Sequence, residues 1–178
     1  MPLTTAIDLN SFGQLMKNEK GNDKMPRPKT VLCISAHWLT TGTSVAVTDK
    51  PKTIHDFGGF PDALFNMQYP APGAVDYAKM AKENITSTQV KDDHEWGLDH
   101  GAWSVLKNMY PNADVPVFQM SVNYFKHPQY HFNLAKELAF LRQKGVLIIG
   151  SGNVVHNLGM LQWDANEKPF DWATEFDE

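Results

Sequence analysis

The sequence contains a single cysteine and lacks any long hydrophobic run or basic cluster. Cys33 has no partner in the chain for a disulfide bond, and its place within the apolar stretch VLCIS favours a role in core packing. No stretch approaches the roughly 20 apolar residues of a membrane span, and the N-terminus shows no secretory leader. The 16 Lys and Arg residues are scattered and outnumbered by 20 Asp and Glu. We therefore expect a cytoplasmic protein without a nucleic-acid or membrane partner.

Apolar strands alternate with amphipathic helices along the 178 residues, a length typical of one domain. The predicted strands cover residues 29–36, 43–49, 114–123 and 146–150, and the predicted helices cover 8–20, 73–85, 99–111 and 127–145. The segment 50–73 is rich in Gly, Pro and aromatic residues and shows no periodicity. Because the main strands are apolar throughout, we predict an α/β fold with a mostly parallel central sheet flanked by helices on both faces.

Two histidines follow apolar strands at equivalent places. His37 ends VLCISAH, and His156 ends VLIIGSGNVVH. Ligands of parallel sheets bind beyond the carboxyl ends of the strands, and neutral imidazole is a common ligand of zinc and ferrous iron. One such histidine alone is more often a loop residue, but two predict a shared site. The glycine-rich turn before His156, with Asn153, is expected either to face a bound anion or oxygen or to be a simple tight connection.

His100 lies in WGLDHGAWSVL, in the first turn of a helix that Asp99 is expected to cap. The helix N-terminus favours a neutral imidazole, which suits proton exchange, although simple packing at the helix start is the alternative. His55 is followed by Asp56, which is expected to fix its tautomer, and it either lines a substrate pocket or stabilises its loop. The remaining histidines are expected to be structural: His94, His127 and His131.

Several ordered motifs together resemble one enzyme family. SAHW, TIHDFGGFP, QYPAPG, WGLDHGAWSVL, MYPNADVPVFQMSV and GSGNVVHNL are similar to the class III extradiol ring-cleaving dioxygenases of the LigB type, in particular the bacterial 4,5-DOPA extradiol dioxygenase group. The resemblance runs from about residue 26 to the C-terminus. It implies a LigB-like fold, a non-haem Fe(II) site that often holds zinc in isolated proteins, and two small-molecule partners, a catechol and O2.

The resemblance also implies roles for individual residues. His37 matches a metal ligand, and His156 matches a position that is either a metal ligand or an acid/base. His100 matches a histidine that assists proton transfer or binds substrate. A catechol must lose its protons to chelate a metal, which explains a neutral histidine nearby. The aromatic residues of DFGGFP are expected to wall a ring pocket, so the expected substrate-binding residues are His55, Phe57 and Asn153.

The chain departs from the family pattern at both ends. The family's N-terminal His-Gly-x-Pro strand and its C-terminal part, each with a metal-site histidine, have no counterpart here, so residues 1–178 are expected to form a single LigB-like catalytic domain that is incomplete at both ends. The chain is then a fragment, a truncated paralogue or one completed by another polypeptide, and an open sheet edge would favour a homo-oligomer. Two functional alternatives remain: an inactive relative that binds metal or a partner, and a zinc-dependent hydrolase.

Overall fold

The computed structural model describes residues 26–153, 157–160 and 168–177. The strands are β1 (Thr30–Ser35), β2 (Leu39–Thr40), β3 (Thr43–Ala46), β4 (Val90–Asp93), β5 (Val117–Gln119), β6 (Val122–Asn123) and β7 (Val146–Ser151). The α-helices are α1 (Asp62–Phe65), α2 (Val75–Asn84), α3 (His100–Met109), α4 (Pro128–Leu138) and α5 (Asp171–Asp177). Two 3₁₀ segments cover Ala139–Lys144 and Leu158–Met160.

The central sheet is parallel, as predicted. β1 lies between β5 and β7 and pairs in parallel with both, with Leu32 opposite Phe118 on one side and Ile148 on the other. Two further parallel ladders join β2 to β6 and β3 to β4. Parallel neighbours bring the carboxyl ends of β1, β5 and β7 to one edge, so residues that follow these strands meet there.

Both faces of β1 are buried, which explains its continuous apolar sequence. Val31 and Cys33 pack in a cluster with Leu106 of α3, while Leu32 packs on the opposite face in a cluster that contains Leu134 of α4. The thiol of Cys33 is fully buried, and this burial raises its pKa. The α/β class, with helices on both faces of the sheet, and the packing role of Cys33 are confirmed.

Local sequence signals explain the bounds of two of the predicted helices. Asp99 is the N-cap of α3, and its side chain accepts a hydrogen bond from the backbone N–H of Ala102 at 3.1 Å. The predicted helix 127–145 is α-helical only to Leu138 and continues as the 3₁₀ segment. It ends at Gly145, whose φ of 85° is left-handed and suits glycine.

Other predicted elements differ from the observed ones. The predicted strand 114–123 is two short strands, because the chain changes partners between them: β5 pairs with β1, the backbone N–H of Ser121 donates to the carbonyl oxygen of Ser44, and β6 pairs with β2. β2 and β4 were not predicted, and α1 interrupts the segment that was expected to be irregular. The predicted helix 8–20 lies outside the described residues. Within the described ranges, no helix is both long and apolar enough to cross a membrane.

Leu32→Ala tests the central position of β1. Leu32 is fully buried, so the truncation should lower the free energy of unfolding by about 2–5 kcal/mol. The matched control is Leu39→Ala, because Leu39 is 48% exposed and its truncation should change stability by less than about 0.5 kcal/mol. Urea denaturation measures both. Equal losses in the two variants would contradict this description of the core.

Candidate metal and catalytic site

A buried carboxylate holds the elements that carry the site together. Asp99 is fully buried and, besides capping α3, accepts hydrogen bonds from the Ser35 hydroxyl at 2.7 Å and from the Gln119 amide at 3.0 Å. Ser35 is the last residue of β1 and Gln119 the last of β5. The start of α3 is therefore fixed to the carboxyl ends of two neighbouring strands.

A glycine allows the close approach of α3 to β1. A Cβ atom on Gly101 would lie 2.5 Å from the Ser35 hydroxyl oxygen and 3.0 Å from Cδ2 of His37. β7 joins the same contact, since the Ser151 hydroxyl donates to the carbonyl oxygen of Gly101 at 2.6 Å. The helix start thus rests directly on the strand ends, which brings His100 next to His37.

Two histidines and one carboxylate form the candidate centre. The rings of His37 and His100 lie with their centroids 3.9 Å apart. Asp56, from the loop before α1, places Oδ2 at 3.2 Å from Nδ1 of His37 and Oδ1 at 2.9 Å from Nδ1 of His100. The backbone N–H of His100 also donates to Oδ1 of Asp56 at 2.9 Å. One carboxylate therefore contacts both rings.

The ionisation of Asp56 follows from these contacts. Burial alone would raise the pKa of its carboxyl group, but the hydrogen bonds from the backbone N–H and the ring of His100 outweigh burial and lower the pKa below its ordinary value. An ionised carboxylate only accepts hydrogen bonds, so the ring of His100 must carry a proton on Nδ1. When His100 is neutral, its lone pair is on Nε2, the atom that can accept a proton or bind a metal.

The donor set fits a divalent transition metal. One ligand atom from each of His37, Asp56 and His100 can be chosen so that all three lie within 4.8 Å of one another. Two imidazoles and one carboxylate are the donor types of non-haem Fe(II) sites with open positions. A carboxylate that receives Nδ1–H from a histidine also orients that ring when its Nε2 binds a metal. Asp56 can act in either way.

The residues of the DFGGFP motif have different surroundings. Phe57 packs edge-to-face on His100, with ring centroids 5.3 Å apart, and lines a cavity beside it. His55 directs Nε2 to the carbonyl oxygen of Met67 at 2.8 Å and packs against Phe65 and Trp103. The expectation that Asp56 fixes the tautomer of His55 was wrong, because Asp56 turns to His100 and His37 instead. The contacts of His55 favour the loop-stabilising alternative.

The region around His156 is described only in part. His156 lies outside the described residues, while Asn153 is exposed. Gly150 and Ser151 belong to β7 rather than to a turn, so the glycine-rich connection begins after Ser151.

The three remaining histidines have surroundings that fit structural roles. His127 is the N-cap of α4, where its Nδ1 accepts from the backbone N–H of Gln129 at 3.3 Å. Nε2 of His131 lies 3.2 Å from the carbonyl oxygen of Asn123, and His94 is exposed. Neither capping nor a contact with a nearby carbonyl requires a ligand.

Comparison with known protein families shows which family the chain belongs to. Residues 9–178 match the family described as the catalytic LigB subunit of aromatic ring-opening dioxygenase. The chain belongs to the LigB family. LigB dioxygenases are metal-dependent, which agrees with the donor set of the candidate centre.

Relatives in this family share much of the sequence. The "4,5-DOPA dioxygenase extradiol" of Escherichia coli (strain K12) is 46% identical over 86% of this chain and 57% of its own length. The protein of the same name from Mirabilis jalapa is 40% identical over 92% of this chain and 62% of its own length. This LigB chain therefore spans about three fifths of the length of these two relatives.

A solved structure supports the fold. The crystal structure of an uncharacterized Escherichia coli K12 protein superposes with a TM-score of 0.74 and 36% sequence identity, over 95% of this chain and 61% of the other. The LigB-like arrangement of sheet and helices is thus shared with an experimentally determined structure.

Sequence reasoning missed the place of Asp56 in the centre. The sequence signal for this place was that Asp56 lies in the same loop as Phe57, an expected substrate-binding residue. Because Asp56 also follows His55 directly, His55 was predicted as its partner instead. Asp99 was predicted only as a helix cap. Its hydrogen bonds with Ser35 and Gln119, which join three elements, were not predicted. Both features depend on contacts between residues at least 20 positions apart.

Gly101→Ala tests the close packing of α3 on β1. The added methyl group meets Ser35 and His37, and overpacking of this kind costs about 1–3 kcal/mol. The control is Gly150→Ala, where a Cβ atom meets no atom within 4 Å. Urea denaturation should show a clearly lower free energy of unfolding for Gly101→Ala alone. Similar stabilities for the two variants would contradict the close approach.

Asp56→Asn tests the contact of one carboxylate with two histidines. Loss of the negative charge should weaken binding of a divalent metal by about 10–100-fold, whether Asp56 is a ligand or orients the rings. Anaerobic titration with Co(II), followed by its visible absorption, measures the affinity.

Asp62→Asn provides the control for this titration, because it makes the same chemical change at an exposed residue nearby in sequence. Its Co(II) affinity should equal that of the parent chain. An unchanged affinity in Asp56→Asn would remove Asp56 from the centre.

Proposed function

We propose that this chain acts in the metal-dependent extradiol cleavage of a catechol such as DOPA by O2. Residues 1–178 would then form one LigB-like catalytic domain. The observation that carries the proposal is the contact of His37 and His100 with a single carboxylate at the carboxyl edge of a parallel sheet. Family membership and the relatives named 4,5-DOPA dioxygenase extradiol support the reaction class.

We assign metal binding to His37 and to His156, with Fe(II) as the metal. Zinc binds the same donor types and is expected in chains isolated without iron. Fe(II), when bound, would supply open coordination positions for catechol and O2 and a route for electrons between them. Asp56, held at 3.2 Å from Nδ1 of His37, orients that ring or serves as a further ligand.

His100 is assigned to proton transfer. Its Nδ1–H is held by Asp56, so Nε2 of the neutral ring can take the proton of a catechol hydroxyl. The resulting imidazolium is stabilised by the adjacent carboxylate, which accepts the Nδ1–H bond in both protonation states. His156 remains the alternative acid/base.

Binding of the aromatic ring is assigned first to Phe57. Its ring stands edge-on to His100 and lines the neighbouring cavity, so an aromatic substrate beside His100 would pack against it. Asn153, exposed just beyond β7, is assigned to a polar group of the substrate. His55 would support the loop that carries Phe57 rather than meet the substrate, given its bond to Met67.

Oxygen uptake tests this function. The purified chain is loaded with Fe(II) under anaerobic conditions and then given L-DOPA in aerated buffer. We expect O2 uptake together with the absorption of a ring-opened product. His37→Ala should abolish both because it loses the metal, and His100→Ala should slow uptake by about 10²–10⁴-fold while it retains metal.

His94→Ala is the matched control, since His94 is exposed and has no place in the proposed site. It should behave like the parent chain. A folded, metal-loaded chain that takes up no O2 would contradict the proposal and favour an inactive metal-binding relative. Hydrolysis of a simple ester without O2, dependent on His37, would instead favour a zinc-dependent hydrolase.

A further inference from the structure

A cavity of about 490 Å³ runs beside the candidate centre along one face of α3. The α3 side of its wall is formed by residues at helical spacing, beginning at His100, continuing through Trp103 and Ser104, and reaching Lys107 and Asn108. The rise of a helix over seven residues is about 10 Å, so Lys107 lies roughly that far along the axis from His100. One end of the cavity therefore lies at His100, in the candidate centre, and the distant end lies near Lys107.

The opposite wall is apolar. It is built by Phe57, Phe60, Leu64 and Met67, from the loop before α1, from α1 itself and from the residues that follow it. Such a surface accepts an aromatic ring or the methylene groups of a side chain. Phe57 belongs to both regions, because it touches His100 and lines the cavity.

The distant end carries a positive charge. Lys107 is half-buried, and it makes no hydrogen bond or ion pair with any residue in the part of the chain that the structure describes. Among the described residues that line the cavity, it is the one lysine or arginine. A half-buried ammonium group beside an apolar wall is well placed to pair with an anionic ligand group, because low local polarity strengthens the attraction.

The neighbouring polar groups are partly used within α3. The Ser104 hydroxyl donates to the carbonyl oxygen of His100 at 2.5 Å, and the Asn108 amide donates to the carbonyl oxygen of Ser104 at 2.8 Å. These bonds turn the two side chains back onto the helix. Lys107 then keeps all three N–H donors of its ammonium group for a ligand, whereas the Asn108 amide keeps one.

We infer that this cavity binds the side chain of the substrate and that Lys107 selects substrates whose side chain ends in a carboxylate. The inference rests on the proposed function and narrows it to catechols that carry an anionic side chain. The ring would lie at the His100 end, and the carboxylate would receive hydrogen bonds from the Lys107 ammonium at the other. Lys107 is thus a specificity residue rather than a catalytic one.

Lys107→Met tests this inference, because methionine keeps an unbranched apolar side chain and removes the charge. Anaerobic calorimetric titration compares the Fe(II)-loaded parent chain and variant with three probes. L-DOPA has the ring and the carboxylate, dopamine has the ring without a carboxylate, and 3-phenylpropionate has the carboxylate without ring hydroxyls. We expect about tenfold weaker binding of L-DOPA and of 3-phenylpropionate to the variant, and unchanged binding of dopamine.

Lys79→Met is the matched control. Lys79 is exposed on α2, which packs on the other face of the sheet from α3, so this variant should bind all three probes like the parent chain. Oxygen uptake with L-DOPA and dopamine gives a second measurement. In Lys107→Met, KM should rise about tenfold for L-DOPA alone, and kcat should stay unchanged for both.

The outcomes separate this inference from the proposed function. If L-DOPA and dopamine bind and are cleaved but Lys107→Met treats the three probes like the parent chain, the inference is overturned and the function stands. If neither catechol is cleaved yet 3-phenylpropionate binds in a manner that depends on Lys107, the proposed function fails and the anion site stands. If no probe with a carboxylate binds, the inference is overturned.

Discussion

The buried carboxylate of Asp99 is the interaction on which the rest of the site depends. A buried carboxyl group is costly unless donors surround it, and here the Ser35 hydroxyl, the Gln119 amide and the N–H of Ala102 all donate to Asp99. These donors belong to two strands and one helix, so the hydrogen bonds of one side chain fix three elements. The distance between the rings of His37 and His100 follows from this arrangement, with Gly101 leaving the space for it.

One short helix carries part of the candidate centre and part of the cavity wall. The first residue of α3, His100, contacts Asp56 and His37, and the following turns of the same helix form a wall of the cavity. A ligand that lies along α3 is therefore aligned with the candidate centre without any further element. Phe57 links the two regions from the opposite side.

The sequence predicted the features that are determined locally or by burial. The apolar strand β1, the Asp99 cap of α3 and the stop at Gly145 were all predicted, because each depends on neighbouring residues or on a continuous apolar run. β2 and β4 were missed since such short strands exist only through their pairing partners. The position of His37 and His100 near one another agrees with their placement at a strand end and a helix start. The prediction that Asp56 pairs with His55 was wrong, because a side chain on an irregular loop is positioned by contacts with residues distant in sequence.

The loop origin of Asp56 has a consequence for the order in which the centre is completed. His37 and His100 stand on elements anchored in the core, whereas Asp56 is followed by Phe57 and two exposed glycines. Core elements are the last to open in native-state fluctuations and loops are the first. The histidine pair can thus persist through local openings that carry the carboxylate away, and each reclosure would restore the tautomer of His100. Amide exchange would then be faster in residues 56–60 than in α3.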